Sequence, residues 1–293
     1  MAGLKEIRTR IASIKTTRQV TSAMKMVSAA KLKKAQDAVL QIRPYADKLH
    51  QILMNLSASL ENAEDSDYTQ PREPKKVLIV LISSNRGLCG GFNLSISKKA
   101  VQLVQKKYPL QLKQEAVSFL CIGNQGLRQM KHRGMKVTDE KNELFEALNF
   151  DNVAEVASGI MKMFREGVYD RVELVYNQFK NAAVQIQTAE QFLPVEMEPG
   201  ENKHNDLDFI YEPTKEHIIR ELIPRSLKIQ FYKALLDSNA AEHGARMTAM
   251  HQATDNATAL LEDLTLQYNK ARQATITNEI LEIVTGAEAL KDS

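Results

Sequence analysis

The segment SSNRGLCGGFN, residues 83–93, has the composition of a loop that could hold a nucleotide phosphate. It follows the apolar run VLIVLI and precedes a helical pattern, and phosphates often bind where a helix begins after a strand. The glycine spacing is GxxGG, whereas a dinucleotide site needs GxGxxG. A P-loop needs Lys and then Ser or Thr, where this chain has Phe92 and Asn93. The loop is therefore interpreted as a protein contact, with a plain tight turn and a nucleotide site as the alternatives.

No other group of residues has the spacing of a reactive centre. The histidines form no HExxH pair, and His243 and His251 are eight positions apart on one predicted helix, too far to share an ion. Cys89 and Cys121 form no CxxC motif. The sequence contains neither a GxSxG elbow nor the kinase motifs. We expect no catalytic residue, no metal site and no bound cofactor in this chain.

The elements that would position any such site are separated by the distribution of glycine and proline. No glycine lies between Gly3 and Gly87, and the 69 residues after Pro224 contain only two glycines. Because these residues mark where regular structure stops or bends, their scarcity predicts long helices at both ends of the chain.

Apolar residues in the first predicted helix recur in alternating steps of three and four, which is the pattern of a coiled-coil seam. They are Leu32, Ala35, Val39, Ile42, Ala46, Leu49, Leu53, Leu56 and Leu60. The last helix repeats the pattern more loosely with Met250, Ala253, Ala257, Leu260, Leu264, Tyr268 and Ala271. Because the two helices have similar lengths and lie at opposite ends of the chain, we predict that they form an antiparallel pair.

The chain between the two helices alternates between strand and helix patterns. Strands are predicted in KKVLIVLIS, AVSFLCIG, YDRVELVYNQF and AAVQIQTAEQFLPV, and Asn93 is a plausible cap of the helix after the first strand. This order is typical of a mostly parallel sheet whose last strand is antiparallel. The predicted fold class is α/β, a long antiparallel coiled coil of the terminal helices plus a central Rossmann-like α/β domain. Its predicted parts are a helix at 1–60, a linker at 61–75, the α/β domain at 76–195, a linker at 196–208 and a helix at 209–293.

Positive charge is concentrated at the start of the chain. Residues 1–50 hold eleven Lys or Arg against three Asp or Glu, while the whole chain carries only +3. A nucleic-acid site is not favoured, because Lys31, Lys33 and Lys34 point in different directions on a helix and Tyr45 is the only aromatic residue in these 50 positions. A helix charged around its circumference fits an acidic protein partner better. The longest strongly apolar run, VLIVLI, is far shorter than the ~20 residues of a membrane-spanning helix.

Several segments resemble the corresponding segments of a known protein family. They are MAGLKEIRTRIASIKTTRQVTSAMKMVSAAKLKKAQ at the start, ITNEILEIVTGAEAL at 276–290, and the shorter RMTAMHQATDNA, YNKARQAT, RPYA, YEP and GLCGG. Together they resemble the gamma subunit of F-type ATP synthases. The resemblance implies a central rotor shaft without chemistry of its own, which couples proton flow through a membrane ring to ATP synthesis, and ATP hydrolysis to reverse pumping.

The resemblance also implies the partners and the contact residues. The partners are three alpha and three beta subunits, an epsilon subunit and the proteolipid c-ring, at the cytoplasmic face of a bacterial plasma membrane where the chain is peripheral. The catalytic beta subunits would contact Met24, Lys25, Cys89, Arg272 and Gln273 through an acidic loop. The membrane ring or epsilon would contact Arg43, Tyr45, Phe209, Tyr211 and Glu212.

The carboxy-terminal end would be held in a hydrophobic bearing of the alpha–beta ring. The expected bearing residues are Ile276, Glu279, Ile280, Leu281, Ile283 and Val284, whose apolar members lie on more than one side of a helix. The alternative is that these residues only pack against the amino-terminal helix.

Overall fold

The structure, a computed structural model, describes residues 3–58, 68–70, 72–195 and 215–289. The predicted linker at 196–208 and most of the one at 61–75 lie outside these residues. The chain divides into two compact units, which we name the terminal unit (residues 1–27 and 247–293) and the central unit (residues 28–246). The long helices α1 (Leu4–Ala58) and α6 (Lys215–Ala289) contribute residues to both units.

The central unit contains a five-stranded sheet flanked by helices. Along the chain its elements are β1 (Val77–Ile82), α2 (Phe92–Lys107), α3 (Pro109–Lys113), β2 (Val117–Ile122), α4 (Asn124–His132), β3 (Val137–Glu140), α5 (Phe150–Arg165), β4 (Arg171–Phe179) and β5 (Gln185–Leu193).

The strand order in the sheet is β3-β2-β1-β4-β5. The first four strands are parallel, and β5 pairs with β4 in the antiparallel sense. The mixed α/β fold with long terminal helices, predicted from the sequence, is confirmed. The sequence patterns missed β3, because its four residues, VTDE, are partly or fully exposed and form no apolar run.

Side chains that alternate along β1 face two separate hydrophobic cores. Ile79 belongs to a core that includes residues of α2 and α4. Val80 belongs to a second core, which includes residues of α5, α6 and the end of α1. Every residue of β1 is buried, as is typical of a parallel sheet with helices on both faces. The helices α2 and α4 therefore form the layer of the central unit opposite to α1 and α6.

Within the central unit, α1 and α6 run in opposite directions. Arg43 Nη2 lies 2.6 Å from a carboxylate oxygen of Asp237, and Lys233 Nζ lies 2.9 Å from one of Asp47. Positions therefore rise along α1 as they fall along α6.

The terminal unit has the same antiparallel arrangement. Thr254 Oγ1 donates a hydrogen bond of 2.9 Å to Thr21 Oγ1, and Lys25 Nζ lies 3.3 Å from His251 Nδ1. The seam of α1 continues to its first turn without a break in the steps of three and four. Its buried or half-buried positions there are Leu4, Ile7, Ile11, Ile14, Arg18, Thr21, Lys25 and Ser28. The apolar pattern shows only the part from Leu32 onward, because the four positions before Leu32 are polar.

The seam predicted for α6 is wrong at one position. Leu260 is 44% exposed, whereas Leu261 is half-buried and Ala257 and Leu264 are buried. The step of four from Ala257 to Leu261 followed by three to Leu264 keeps the seam on one side of the helix. Two adjacent leucines do not show by themselves which one faces the partner helix.

Candidate functional site

The loop after β1 is built around a buried serine. Ser83 Oγ donates to the carbonyl oxygen of Gly123 at 3.0 Å and accepts from the amide of Gly126 at 2.9 Å. A Cβ added at Gly123 or Gly126 would lie 2.6 Å from atoms of Ser83, so only glycine permits this approach. Gly123 also has a φ of 110°, which side chains rarely adopt. The ends of β1 and β2 are therefore joined directly.

Asn93 closes the loop rather than capping a helix. The helix α2 begins at Phe92 with Gly91 at its cap, so the expected capping role of Asn93 is wrong. The Asn93 Oδ1 atom accepts from the amide of Ser84 at 3.0 Å, and its Nδ2 lies 3.1 Å from the Cys89 sulfur. Because the side chain folds back from the first helical turn, it satisfies donors of the loop instead of the helix.

A second set of amide side chains covers the start of α4. Asn85 Oδ1 accepts from the amide of Asn124, and Asn142 Oδ1 accepts from the amide of Gly123. The next two amides, those of Gln125 and Gly126, donate to Ser84 O and Ser83 Oγ. The first backbone donors of α4 are thus already used within the chain. This geometry disfavours a phosphate site at the start of α4.

Arg246 of α6 holds the other side of the loop. Its guanidinium donates to the carbonyl oxygens of Arg86 at 3.0 Å and Gly87 at 3.3 Å. Its Nη1 also lies 2.7 Å from a carboxylate oxygen of Glu242, one turn earlier on α6. Both side chains are 9% exposed, so the ion pair is buried between the loop and the helix. A buried pair of this kind fixes geometry more than it adds stability.

The pKa values of two groups in this contact differ from their ordinary values. Burial raises the pKa of the Glu242 carboxyl, and the neighbouring Arg246 opposes that rise. Burial, together with the positive charges of Arg246 and Lys31, lowers the pKa of His243 to about 4. His243 is therefore neutral at pH 7, next to a guanidinium that is always charged.

Cys89 lies inside the loop and is not presented to solvent. Its side chain is 2% exposed, and burial raises the pKa of its thiol. The adjacent Leu88 is 64% exposed and has a φ of 62°. A partner that contacts this loop would meet Leu88 and the backbone of the neighbouring glycines, while Cys89 supports the loop from beneath.

The other expected beta-contact residues belong to the terminal unit. Met24 and Lys25 are half-buried, and Arg272 and Gln273 are exposed. The register set by the pairs at positions 21–254 and 25–251 places Leu4, the first residue of α1, opposite about position 271. Met24 and Arg272 are therefore about twenty residues apart along the paired helices, and the structure does not bring them together.

Beyond the start of α1, no helix of the described residues lies beside the end of α6 in this register. Every described position from 272 to 287 is exposed. The exposure includes all six expected bearing residues, Ile276, Glu279, Ile280, Leu281, Ile283 and Val284, and reaches 71% at Ile283. These residues do not pack against the amino-terminal helix.

Of the residues expected to contact the membrane ring or epsilon, two are described. Arg43 is held in the central unit, where it donates to Asp237 and to the carbonyl oxygen of Phe179 at 2.8 Å. Burial raises the pKa of the Asp237 carboxyl, and Arg43 opposes this. Tyr45 is 43% exposed. The other three, Phe209, Tyr211 and Glu212, lie outside the described residues.

The described part of the chain contains no group of three or more His, Cys, Asp or Glu side chains arranged to hold a metal ion. None of its helices combines the length and the apolar character needed to span a bilayer.

Sequence reasoning assigned no role to Arg246 or Glu242. Arg246 opens the segment RMTAMHQATDNA, and an acidic and a basic residue four positions apart on a helix are a recognisable ion-pair signal. That the pair is buried under a loop more than 150 residues away in sequence could not be read from the helix alone.

The comparisons with known proteins agree over the whole chain. Residues 3–290 match the family model described as ATP synthase. The chain is 51% identical to the ATP synthase gamma chain of Cytophaga hutchinsonii, with 100% of both chains covered. It is 54% identical to that of Flavobacterium psychrophilum, with 99% of this chain and 100% of that one covered.

Two solved structures are also similar. One is a chain of the central stalk and c-ring of the Tetrahymena thermophila mitochondrial ATP synthase, with a TM-score of 0.58 at 25% identity over 80% of this chain and 99% of that one. The other is a chain of the Euglena gracilis mitochondrial ATP synthase in rotational state 3. Its TM-score is 0.69 at 19% identity, over 98% of this chain and 94% of that one, which shows a similarity of fold. The chain therefore belongs to the gamma-chain family of ATP synthases.

Proposed function

We propose that this gamma chain is the central rotor of an F-type ATP synthase. It turns inside a ring of three alpha and three beta subunits and couples proton flow through a membrane ring to ATP synthesis. In reverse, ATP hydrolysis drives the rotor and pumps protons. The chain has no nucleotide site of its own in this role, since the loop after β1 has neither the GxGxxG spacing nor the Lys and Ser or Thr of a P-loop.

The observation that carries the proposal is the exposed apolar end of α6. A free helix end with Ile280, Leu281 and Ile283 all more than half exposed is a liability in water unless another protein surrounds it. A closed ring of subunits covers such an end on all sides, as a flat partner would not. The residues from Ile276 to Val284 accordingly form the bearing surface.

Rotation gives the chain a regulatory role. One chain cannot itself have threefold symmetry, so inside a threefold ring it contacts each catalytic subunit differently. Different contacts give the three catalytic sites different nucleotide affinities, and turning the chain exchanges those affinities. The coupling is reciprocal, so nucleotide binding and release also turn the chain.

The contact residues divide between the two units. The acidic loop of a beta subunit contacts Met24 and Lys25 on the paired helices, Arg272 and Gln273 opposite the start of α1, and the loop around Cys89 through Leu88. The epsilon subunit and the proteolipid ring contact the foot, formed by Tyr45 with Phe209, Tyr211 and Glu212. Arg43 positions this region through Asp237. The complex lies at the cytoplasmic face of a bacterial plasma membrane.

Single-molecule rotation of the purified complex tests this function. The alpha–beta ring is fixed to a surface and a probe is attached to the gamma chain at a cysteine introduced at an exposed position. With MgATP the probe is expected to rotate in one direction, and with a non-hydrolysable ATP analogue it is expected to stop. ATP hydrolysis at full rate with a stationary probe would contradict the proposal.

Calorimetry of the isolated chain distinguishes the rotor function from the rival interpretation, a nucleotide-binding α/β protein. A nucleotide-binding α/β protein would bind MgATP by itself, whereas the rotor chain is expected to release no heat of binding. The alpha–beta ring assembled without the gamma chain serves as the positive control, since it carries the nucleotide sites.

A further inference from the structure

The layer that contains α2, α3 and α4 is strongly basic, whereas the segment that includes α5, on the other face of the sheet, is acidic. Residues 74–138, which form α2, α3, α4 and their strands, contain twelve Lys or Arg and a single acidic residue, Glu115. Residues 139–166, which include α5, contain seven Asp or Glu and three Lys or Arg. The basic layer lies on the face of the sheet opposite to α1 and α6, so these helices leave it uncovered.

A groove runs between α2 and α4 on this basic layer. It has a volume of about 370 Å³ and is lined by Leu94, Gln125, Arg128, Gln129, His132 and Arg133. Leu94 is 56% exposed, which leaves an apolar contact on one wall. No acidic residue lines the groove. Among the described residues, neither Arg128 nor Arg133 takes part in an ion pair within the chain.

One of the lining residues, Gln129, also has a buried polar atom, Oε1, without a hydrogen-bond partner among the described residues. Such an atom is costly unless a donor reaches it. The groove itself offers two cations and an apolar side chain, which together match a peptide carrying carboxylates and an apolar residue.

Two other classes of partner fit less well. Single-stranded nucleic acid needs exposed aromatic side chains for stacking, and the three aromatic residues of 74–138, Phe92, Tyr108 and Phe119, are all buried. An anionic bilayer is attracted to basic residues, but its flat surface does not enter a groove between two helices.

We propose that the groove between α2 and α4 holds an acidic, apolar-bearing segment of another subunit of the complex. The proposal rests on the rotor function, since it requires the chain to be assembled with other subunits. The groove adjoins the loop after β1, because Leu94 follows that loop and Gln125 donates its amide to Ser84. A segment seated there extends the contact made by Leu88 across α4.

Photo-crosslinking in the purified complex tests the occupant. Benzoylphenylalanine replaces Leu94, whose exposure allows a larger side chain, and the crosslinked peptide is sequenced after irradiation. We expect one subunit peptide with several Asp or Glu within a few residues of the attachment point. A crosslink to lipid or nucleic acid, to a peptide without acidic residues, or no crosslink in the assembled complex would overturn the proposal.

Charge reversal supplies the matched comparison. The pair Arg128→Glu and Arg133→Glu is expected to lower the crosslink yield at least tenfold. The pair Lys106→Glu and Lys113→Glu makes the same charge change on the basic layer outside the groove, and is expected to change the yield less than twofold. Substituting Lys for the acidic residues of the crosslinked peptide should restore the yield in the first pair. Equal losses in both pairs would show only general attraction to the layer and overturn the groove assignment.

Rotation is measured on the same samples to separate the two proposals. If the chain assembles and rotates but the crosslink fails, the groove assignment falls and the rotor function stands. If the chain does not enter the complex, the rotor function itself fails.

Discussion

Arg246 holds the loop after β1 through hydrogen bonds to backbone carbonyl oxygens, so the position of the loop depends on a residue of α6. The guanidinium joins Arg86 and Gly87 to α6 and is neutralised by Glu242, which is also buried. Removing only the cation leaves a carboxylate without its partner in a site shielded from water. Such losses cost more than removing both members of the pair.

We predict that Arg246→Gln lowers the free energy of unfolding of the central unit by about 3–5 kcal/mol. The double variant Glu242→Gln/Arg246→Gln should lose less, because no charge remains buried. Hydrogen exchange at the amides of residues 86–91 is expected to quicken in both variants, since both release the loop. A double variant less stable than the single one would contradict this account of the pair.

His243 makes a separate, pH-dependent contribution. Its pKa falls from 6.5 to about 4 on folding, so between these values the unfolded chain binds more protons than the folded one. The contribution of this group to the free energy of unfolding is therefore fully present above pH 6.5 and is lost as the pH falls towards 4. The raised pKa of Glu242 acts in the opposite sense, because the folded state then takes up a proton more readily.

Comparing wild type with His243→Gln isolates the histidine. Between pH 7 and pH 5 the wild type is expected to lose roughly 1–2 kcal/mol more than the variant. Urea unfolding at both pH values, followed by helix circular dichroism, measures the difference. Equal losses in the two proteins would show that His243 titrates normally in the folded state.

At the scale of elements, the sequence predicted most features that rest on a repeated apolar pattern and few features that rest on single side-chain contacts. The buried strands, such as VLIVLI of β1, and the seam from Leu32 onward carry patterns that local chemistry dictates. The seam before Leu32 is hidden because Thr21 and Lys25 are polar and find polar partners on α6. Likewise, β3 has no apolar run, since it is an edge strand.

The candidate site was harder to predict for the same reason. The segment GLCGG drew attention to the loop, but Cys89 is buried and Leu88 is the exposed residue. Which of two neighbours points outward depends on the positive φ of Leu88 and on the bond from Asn93 to Cys89. These are tertiary facts that spacing does not encode.

The register of α6 gives a matched test in the terminal unit. Leu264→Ala removes a side chain that is 5% exposed and is expected to destabilise the paired helices by about 2–3 kcal/mol. Leu266→Ala changes a residue that is 54% exposed and should stay within about 0.5 kcal/mol of wild type. Hydrogen exchange of the amides in 250–270 reports the change. Equal acceleration in both variants would show that the seam does not pass through Leu264.

At the scale of the whole molecule, the two ends of the chain form a unit to which the middle contributes nothing. The terminal unit consists of residues 1–27 and 247–293, and the central unit is continuous from 28 to 246. The sheet, both of its cores and the loop held by Arg246 belong to the central unit. Changes at the carboxyl terminus should therefore leave that unit folded.

Deleting residues 277–293 tests both this division and the bearing. The central unit should be unaffected, with hydrogen exchange in β1 and β4 unchanged, because no residue of that unit is removed. The torque that stalls ATP-driven rotation is expected to fall, since the deletion removes Ile280, Leu281 and Ile283. As a milder comparison, Ile283→Ser alters a side chain that is 71% exposed in the free chain, so it should leave the stability of the isolated chain unchanged yet weaken the torque in the complex. Faster exchange in β1 and β4 would show that the units do not fold separately, and unchanged torque in the deletion would remove the bearing role from the end of α6.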